Sequence, residues 1–196
     1  MKQRLFVLDA SPLITLALGG ALDAILAVDL PIFIPDMVYF EVTRHRDKPG
    51  SRKIFDWVKD HVENLHIVPT ETFREYMILL EYDPKTRVRN RGEVSAFEVL
   101  SDHAIGDESA RSFVLYEDDD VRRMRALDPE LGDKVSLVST GEFLVMVERV
   151  AHILKADDVL DLAQQNGRNV TKIAQDAARQ PNPEAAELAP YLTPKG

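Results

Sequence analysis

Apolar residues along this chain fall into two textures. Short continuous runs, Leu5-Phe6-Val7-Leu8, Ile32-Phe33-Ile34 and the segments 65–68, 113–116 and 135–138, read as strands. An uninterrupted apolar run is what a strand covered on both faces requires, since one solvated face would impose alternation. Between the runs, apolar residues recur at spacings of three and four: Ile54, Trp57 and Val58 with His61, then Ala96, Phe97 and Leu100, then Val170, Ile173, Ala174 and Ala177. That spacing places each set on one helical face.

Local signals mark the ends. Ser11 reads as a helix N-cap with Pro12 in the first helical position, where proline's missing N–H costs nothing, and Gly19-Gly20 stops that helix. Asp36 reads as the cap of a helix running to about His45; residues 47–51 are turn-rich. A helix over 70–80 is broken by Asp83-Pro84, Gly92 opens another to about His103, and a third follows residue 116 to about Leu127. Ser139 or Thr140 starts a long helix expected to reach Leu154.

Strands alternating with helices predict an α/β fold with a central, mainly parallel sheet flanked by helices and joined by right-handed connections. Ligands of such sheets bind beyond the carboxyl ends of the strands. Asp9 and the run Glu117-Asp118-Asp119-Asp120 occupy two such ends. We divide the chain into a domain over 1–154 and a helical C-terminal extension over 155–196. Val159, Leu162 and Ala163 mark the extension's first helix, and Pro181-Asn182-Pro183 breaks its second. These helices either form an interface or cover the domain itself. The last dozen residues are expected to be poorly ordered, and no internal repeat is present.

Composition narrows the field. With 196 residues, 45% of them hydrophobic, the chain suits one globular domain with an appendage. There is no cysteine, so disulfides and thiolate metal sites are excluded, and a reducing cytoplasm fits. Lys2 and Arg4 before an apolar stretch mimic a signal peptide, but Asp9 interrupts it. The uncharged run 10–22 contains Pro12 and Gly19-Gly20 and falls short of the roughly 20 residues that span a bilayer. A cytoplasmic protein without a membrane partner is expected. The net charge of -9 argues against a general nucleic-acid coat but not against local engagement of a backbone.

The acids carry the chemistry. Counting back from Ala96, Phe97 and Leu100 lands on Glu93, and Glu41 lies four residues after Met37 and three after Val38. A carboxylate on or beside an apolar face is costly without compensation. Each acid has an ordinary alternative: an Asx turn for Asp9, a first-turn glutamate for Glu93, pairing with Arg44 for Glu41, a solvated face for residues 117–120. Four acids leading from one sheet edge are harder to explain singly. A hard divalent cation, Mg²⁺ or Mn²⁺, is the simplest compensation, because the donors are all oxygen. His45, His61, His66, His103 and His152 are too scattered for zinc.

Basic residues adjoin the acids: Arg44, Arg46 and Lys48 after Glu41; Lys85, Arg87, Arg89 and Arg91 before Glu93; Arg122, Arg123 and Arg125 after the acidic run. An acidic pocket with a basic rim suits phosphates, with Arg44, Arg46, Arg89, Arg91 and Arg122 as candidate nucleic-acid contacts. Tyr39, Phe40 and Tyr116 read as core.

These segments resemble the PIN-domain family, in the prokaryotic branch related to toxin ribonucleases. Leu8-Asp9-Ala10-Ser11-Pro12-Leu13-Ile14 is similar to its opening motif, and Ile34 through Val42, with Glu41, to its second. Arg91-Gly92-Glu93-Val94-Ser95-Ala96 resembles the third, and Val114-Leu115-Tyr116-Glu117-Asp118-Asp119 the fourth. Val138-Ser139-Thr140-Gly141 resembles the last strand-to-helix junction. The likeness spans about residues 5–154. In the fourth motif Tyr116-Glu117 replaces an aliphatic-aspartate ending; Asp118 is favoured, with Asp119 a competitor. The resemblance implies a PIN-like three-layer fold and Mg²⁺- or Mn²⁺-dependent hydrolysis of RNA, leaving a 5′-phosphate and a 3′-hydroxyl. It assigns catalysis to Asp9, Glu41, Glu93 and Asp118. Asp9, Asp118 and Glu93 would serve the metal, supported by Ser11, Asp119 and Thr140.

Two other strand-then-aspartate families fit worse. A haloacid-dehalogenase-like phosphatase needs an aspartate where Ser11 stands, and a receiver domain needs adjacent acids where Leu8-Asp9 supplies one. Gly19-Gly20 lacks the lysine and serine of a phosphate loop. The rival of another class is a PIN-fold binding or regulatory protein with weak or no hydrolysis. Expected partners are RNA, a second copy in a homodimer, and an antitoxin or other protein.

Overall fold

The computed structural model describes residues 4–87, 90–103, 111–117, 119–127, 134–178 and 182–193. Five parallel strands, β1 (Phe6–Leu8), β2 (Ile32–Pro35), β3 (Leu65–Val68), β4 (Ser112–Tyr116) and β5 (Val135–Ser139), form one sheet in the order β3-β2-β1-β4-β5. Register pairs Phe6 with Ile32 on one side and with Phe113 on the other. The first strand is therefore central, with neighbours on both edges and helices on both faces.

Side-chain alternation splits each strand between two cores. Phe6, Leu8, Ile32, Ile34, Phe113, Leu115 and Val138 point to one face. There they meet α1 (Ala10–Leu18), α2 (Asp36–Thr43), α3 (Pro49–Asp60) and the C-terminal helices. Leu5, Val7, Val114, Tyr116, Val135 and Leu137 point to the other, against Ala96, Phe97 and Leu100 of α5 (Arg91–His103) and Val121 of α6 (Asp119–Leu127). A large apolar side chain fully removed from water contributes about 1.5–3 kcal/mol, so both faces bind the layers together. This is the expected three-layer α/β arrangement.

Helix ends differ from expectation at two informative places. The first helix begins at Ala10, so Ser11 is inside it rather than its cap, and Asp9 takes the N-cap position. Likewise α2 begins at Asp36 itself, with Pro35 before it. The Asp36 carboxylate instead accepts from Met37 N–H (2.8 Å), Thr70 N–H (3.1 Å) and the Thr70 hydroxyl (2.6 Å), tying α2 to the start of α4 (Glu71–Tyr82). A cap is read from one residue type, whereas Thr70 arrives from 34 positions away.

After β5, Ser139 and Glu142 form a capping box at the head of α7 (Thr140–Met146). The helix continues only as a π turn over Val147–Ala151, ending at His152 in the left-handed region (φ 56°), short of the expected Leu154. Beyond it lie α8 (Ala156–Gln165), α9 (Thr171–Ala177) and α10 (Pro183–Ala186). Ala156, Val159, Leu160, Ala163, Val170 and Ile173 join the core beneath α1 and α7, so these helices cover the chain's own surface.

The tail, expected to be poorly ordered, packs as far as Thr193. Ala185, Leu188 and Leu192 are buried, Leu192 bridges to Val28, and Glu142 accepts two bonds from Asn182 (each 3.0 Å). Glu184 forms a bidentate pair with Arg125, and Arg111 lies 3.8 Å away. Among the described residues, no helix is long and apolar enough to cross a membrane.

Two stability predictions follow from this packing. A Cβ on Gly141 would lie 2.4 Å from the Ile173 carbonyl oxygen and 2.6 Å from the Ala177 nitrogen, where backbone meets backbone. Gly141→Ala should therefore lower unfolding free energy by about 1–3 kcal/mol in denaturant titration; an unchanged midpoint would show that α9 does not press on α7. The hydrogen bond from Arg125 first, and the charges of Arg125 and Arg111 with it, hold the Glu184 carboxyl below its ordinary value of 4.5 against the opposing effect of burial. A depressed folded pKa stabilises above the unfolded value, and that stability is lost as pH falls through the folded one. Glu184→Gln should cost about 1 kcal/mol at pH 7, after allowing for solvent screening. The gap between variant and wild type should close in acid below pH 4.5.

Candidate active site

Topology defines the location. From β1 the chain order runs outward to β2 and β3 on one side and to β4 and β5 on the other. The crevice beyond the carboxyl ends of β1 and β4 is thus the switch point where such sheets bind ligands. Asp9 sits there, 3% exposed, its N–H bonded to the Leu115 carbonyl across the β1–β4 pair (3.2 Å). Its backbone is extended (φ -93°, ψ 168°), and its side chain makes no capping bond to α1. The helix end does not consume this carboxylate, which removes the Asx-turn explanation.

Two further elements converge on Asp9. Met37 and Val38 are fully buried, and Glu41, one turn later on α2, is half-buried. At the first turn of α5, a Cβ placed on Gly92 would stand 3.4 Å from Asp9 Oδ1, 3.5 Å from Glu41 Oε2 and 3.5 Å from Val38 Cγ2. Carboxylates 32 positions apart in the chain therefore share one small volume, whose third wall is a glycine. Glu93, the next residue, is half-buried in the same turn. Among the described residues, no group of three or more His, Asp and Glu side chains is placed to hold a metal ion. Asp118 and Arg89 lie outside the described residues, and Asp119 is described only as the backbone residue that opens α6.

Thr140 and Ser11 flank the crevice. Thr140 is fully buried at the head of α7 and donates to Glu117 Oε1 (3.0 Å); Ser11 lines an adjoining hollow with Glu117, Arg168 and Lys172. Glu117 and Arg168 were not singled out as site residues from the sequence. Arg168 Nη2 donates to Glu117 Oε2 (2.6 Å) and to the Ser11 carbonyl (3.3 Å), while its Nε donates to Thr15 Oγ1 (2.9 Å). The only trace of this in the sequence is Asn166-Gly167, a helix-stop signal that does not say what the following arginine meets.

The candidate basic residues separate into three groups. Arg44 donates to the Tyr76 hydroxyl (3.3 Å), and Arg91 lies over the ring of the same tyrosine (5.2 Å), so these two gather beside Glu41 and Gly92. Arg122 bonds the Tyr116 hydroxyl and stacks at 5.3 Å on its ring. Arg46 stacks on Phe55 of α3 at 3.8 Å, away from that pair. Tyr116 is core, as expected; burial raises its pKa and the bond from Arg122 opposes the rise, so its hydroxyl stays protonated near neutrality. Burial likewise raises Tyr39, against the charge of Arg46.

Chemically, two convergent carboxylates, one of them nearly out of water, offer an all-oxygen donor set. Magnesium is held by one or two carboxylates with several waters retained, and the space opposite a glycine leaves room for them, so the residues present fit such an ion. A PIN-domain family model matches residues 5–116, more than half of the chain and all of the segment that carries Asp9, Glu41 and Glu93. The chain belongs to the PIN-domain family, whose fold is of the nuclease type and whose members typically use divalent metals. No curated protein and no solved structure matches it significantly.

Gly92 tests the geometry directly. A methyl group there touches both carboxylates at ordinary contact distance without a clash, and alanine favours the helix. Gly92→Ala should melt at the wild-type temperature or above it, yet bind Mn²⁺ more weakly in calorimetric titration. A large fall in melting temperature would show that the glycine serves packing instead.

Proposed function

We propose that this protein is a Mg²⁺- or Mn²⁺-dependent endoribonuclease that hydrolyses RNA phosphodiester bonds. The observation that carries the reading is the meeting of Asp9 and Glu41 at Gly92, in the crevice beyond β1. Burying carboxylates together is unfavourable, and a divalent cation relieves it. When bound, such an ion lowers the pKa of a water and offsets charge developing on a phosphate. Asp9 supplies the buried ligand. Glu93 and Asp118 are proposed as the others, with Glu41 ligating through water or orienting the attacking water. Arg44 and Arg91, fixed against Tyr76, are suited to hold flanking phosphates, and Arg122 to extend that grip along the strand. Hydrolysis in this manner leaves a 5′-phosphate and a 3′-hydroxyl. The absence of cysteine suits work in the cytoplasm.

A second reading, a PIN-fold partner protein with weak or no hydrolysis, is favoured by α4. Met77, Ile78, Leu79 and Tyr82 are exposed there, Tyr82 to 85%. Met77 and Ile78 line a groove whose charged lining is five acids, Asp36, Glu71, Glu81, Glu98 and Asp102, against one base, Arg74. Such a face suits a basic segment of a partner such as an antitoxin better than an identical acidic copy of itself; a homodimer would use another surface.

Asp9→Asn separates the readings. It keeps the size of the side chain and removes the buried charge, so the fold should persist with an equal or higher melting temperature. Cleavage of 5′-labelled single-stranded RNA in Mn²⁺ should fall to background. Unchanged cleavage by the purified variant would refute the assignment, and wild-type protein with no affinity for Mn²⁺ would favour the partner reading.

A further inference from the structure

We infer that Arg168, in the C-terminal extension, is a positioning residue for the carboxylate site. The inference rests on the nuclease reading and extends it to a part of the chain that the PIN-domain match does not reach.

Its position is built from the end of α8. The Gly167 N–H bonds the Gln164 carbonyl (2.9 Å) and the Arg168 N–H bonds the Ala163 carbonyl (2.9 Å), with Gly167 in the left-handed region at φ 88°. This glycine turn ends the helix and redirects the chain. Asn166 fastens it by donating to the Leu18 carbonyl at the end of α1 (2.9 Å). The guanidinium is thereby delivered to the opposite end of α1, where it serves three acceptors on two elements: Ser11 and Thr15 on α1, and Glu117 just past β4.

Those two elements are the ones that carry candidate ligands. Asp9 immediately precedes the turn of α1 that Arg168 grips, and Asp118 follows Glu117 in the chain. Glu117 is itself held at three points, by Arg168 and Thr140 on its carboxylate and by Lys172 Nζ on its carbonyl (3.1 Å). Its side chain is 8% exposed and that of Arg168 25%, so the pair is sheltered, and the guanidinium is held by acceptors on both elements. A sheltered carboxylate that is already bonded to an arginine and a threonine is poorly placed to be a metal ligand. Its role is to fix the end of β4 against α1, as outer partners fix the ligands of metal sites.

The test uses the full-length chain as wild type, as Arg168→Met, and as the double variant Arg168→Met with Glu117→Gln. Mn²⁺ affinity is measured by calorimetry, RNA cleavage as a function of Mn²⁺, and melting temperature alongside. Arg168→Met leaves a sheltered carboxylate without its cationic partner and should melt lower; the double variant removes that charge and should recover stability. If Arg168 positions the site, both variants bind Mn²⁺ about 10- to 100-fold more weakly, and excess Mn²⁺ restores much of the cleavage rate. Unchanged Mn²⁺ affinity in Arg168→Met overturns the inference, as does a double variant that regains affinity together with stability. Wild-type protein that neither binds Mn²⁺ nor cuts RNA overturns the nuclease reading itself, and this inference falls with it.

Discussion

Asp9 is almost wholly buried where β1 gives way to α1, and an ionised carboxyl group withdrawn from water needs compensation worth several kcal/mol. Everything around it is arranged on that constraint. The ladder to β4 holds its backbone, α2 brings a second carboxylate, and α5 approaches through a glycine that leaves the shared volume open. A fold organised for stability alone would place an apolar residue at this spot. Acids retained there accord with a family whose members typically use divalent metals.

The two faces of the sheet divide the labour. The face packed by α1, α2 and α3 extends into the C-terminal helices, forming one large core, while the face packed by α5 and α6 is smaller. Elements from both faces reach the crevice at the end of β1: α2 from the larger core, α5 from the smaller. The site therefore depends on the sheet keeping its two layers in register. The extension contributes to this beyond covering apolar surface. Glu142 joins the head of α7 to Asn182, Glu184 joins the tail to Arg125 of α6, and Arg168 joins α1 to the end of β4. Of these links, the one through Arg168 reaches α1 and the end of β4, the two elements that border the crevice.

The arginines show how neutral rings organise a basic rim in an acidic protein. With a net charge of -9, any engagement of a polyanion has to rest on the local placement of cations. Tyr76 gathers Arg44 and Arg91 from two helices, and Tyr116 holds Arg122. Aromatic stacking orients a guanidinium without itself neutralising the charge.

Much of this was legible in the chain itself. Uninterrupted apolar runs revealed strands buried on both faces, the 3.6 spacing of Ala96, Phe97 and Leu100 revealed the face of α5, and acids at the ends or edges of these patterns stood out because their cost is local. The position of Asp9 after a buried strand needed no tertiary information. The inner ends of helices were less legible: Ser11 and Asp36 have the composition of caps, yet Asp9 and Pro35 hold those positions, because β-strand pairing decides where the extended chain stops. Only the tertiary structure decided that Glu41 meets Asp9 at Gly92, that the tail is fastened through Thr193, and that Arg168 reaches Glu117. Periodicity and propensity act between residues a few positions apart, whereas these contacts join residues 32, 166 and 51 positions apart and exist only once the layers have packed.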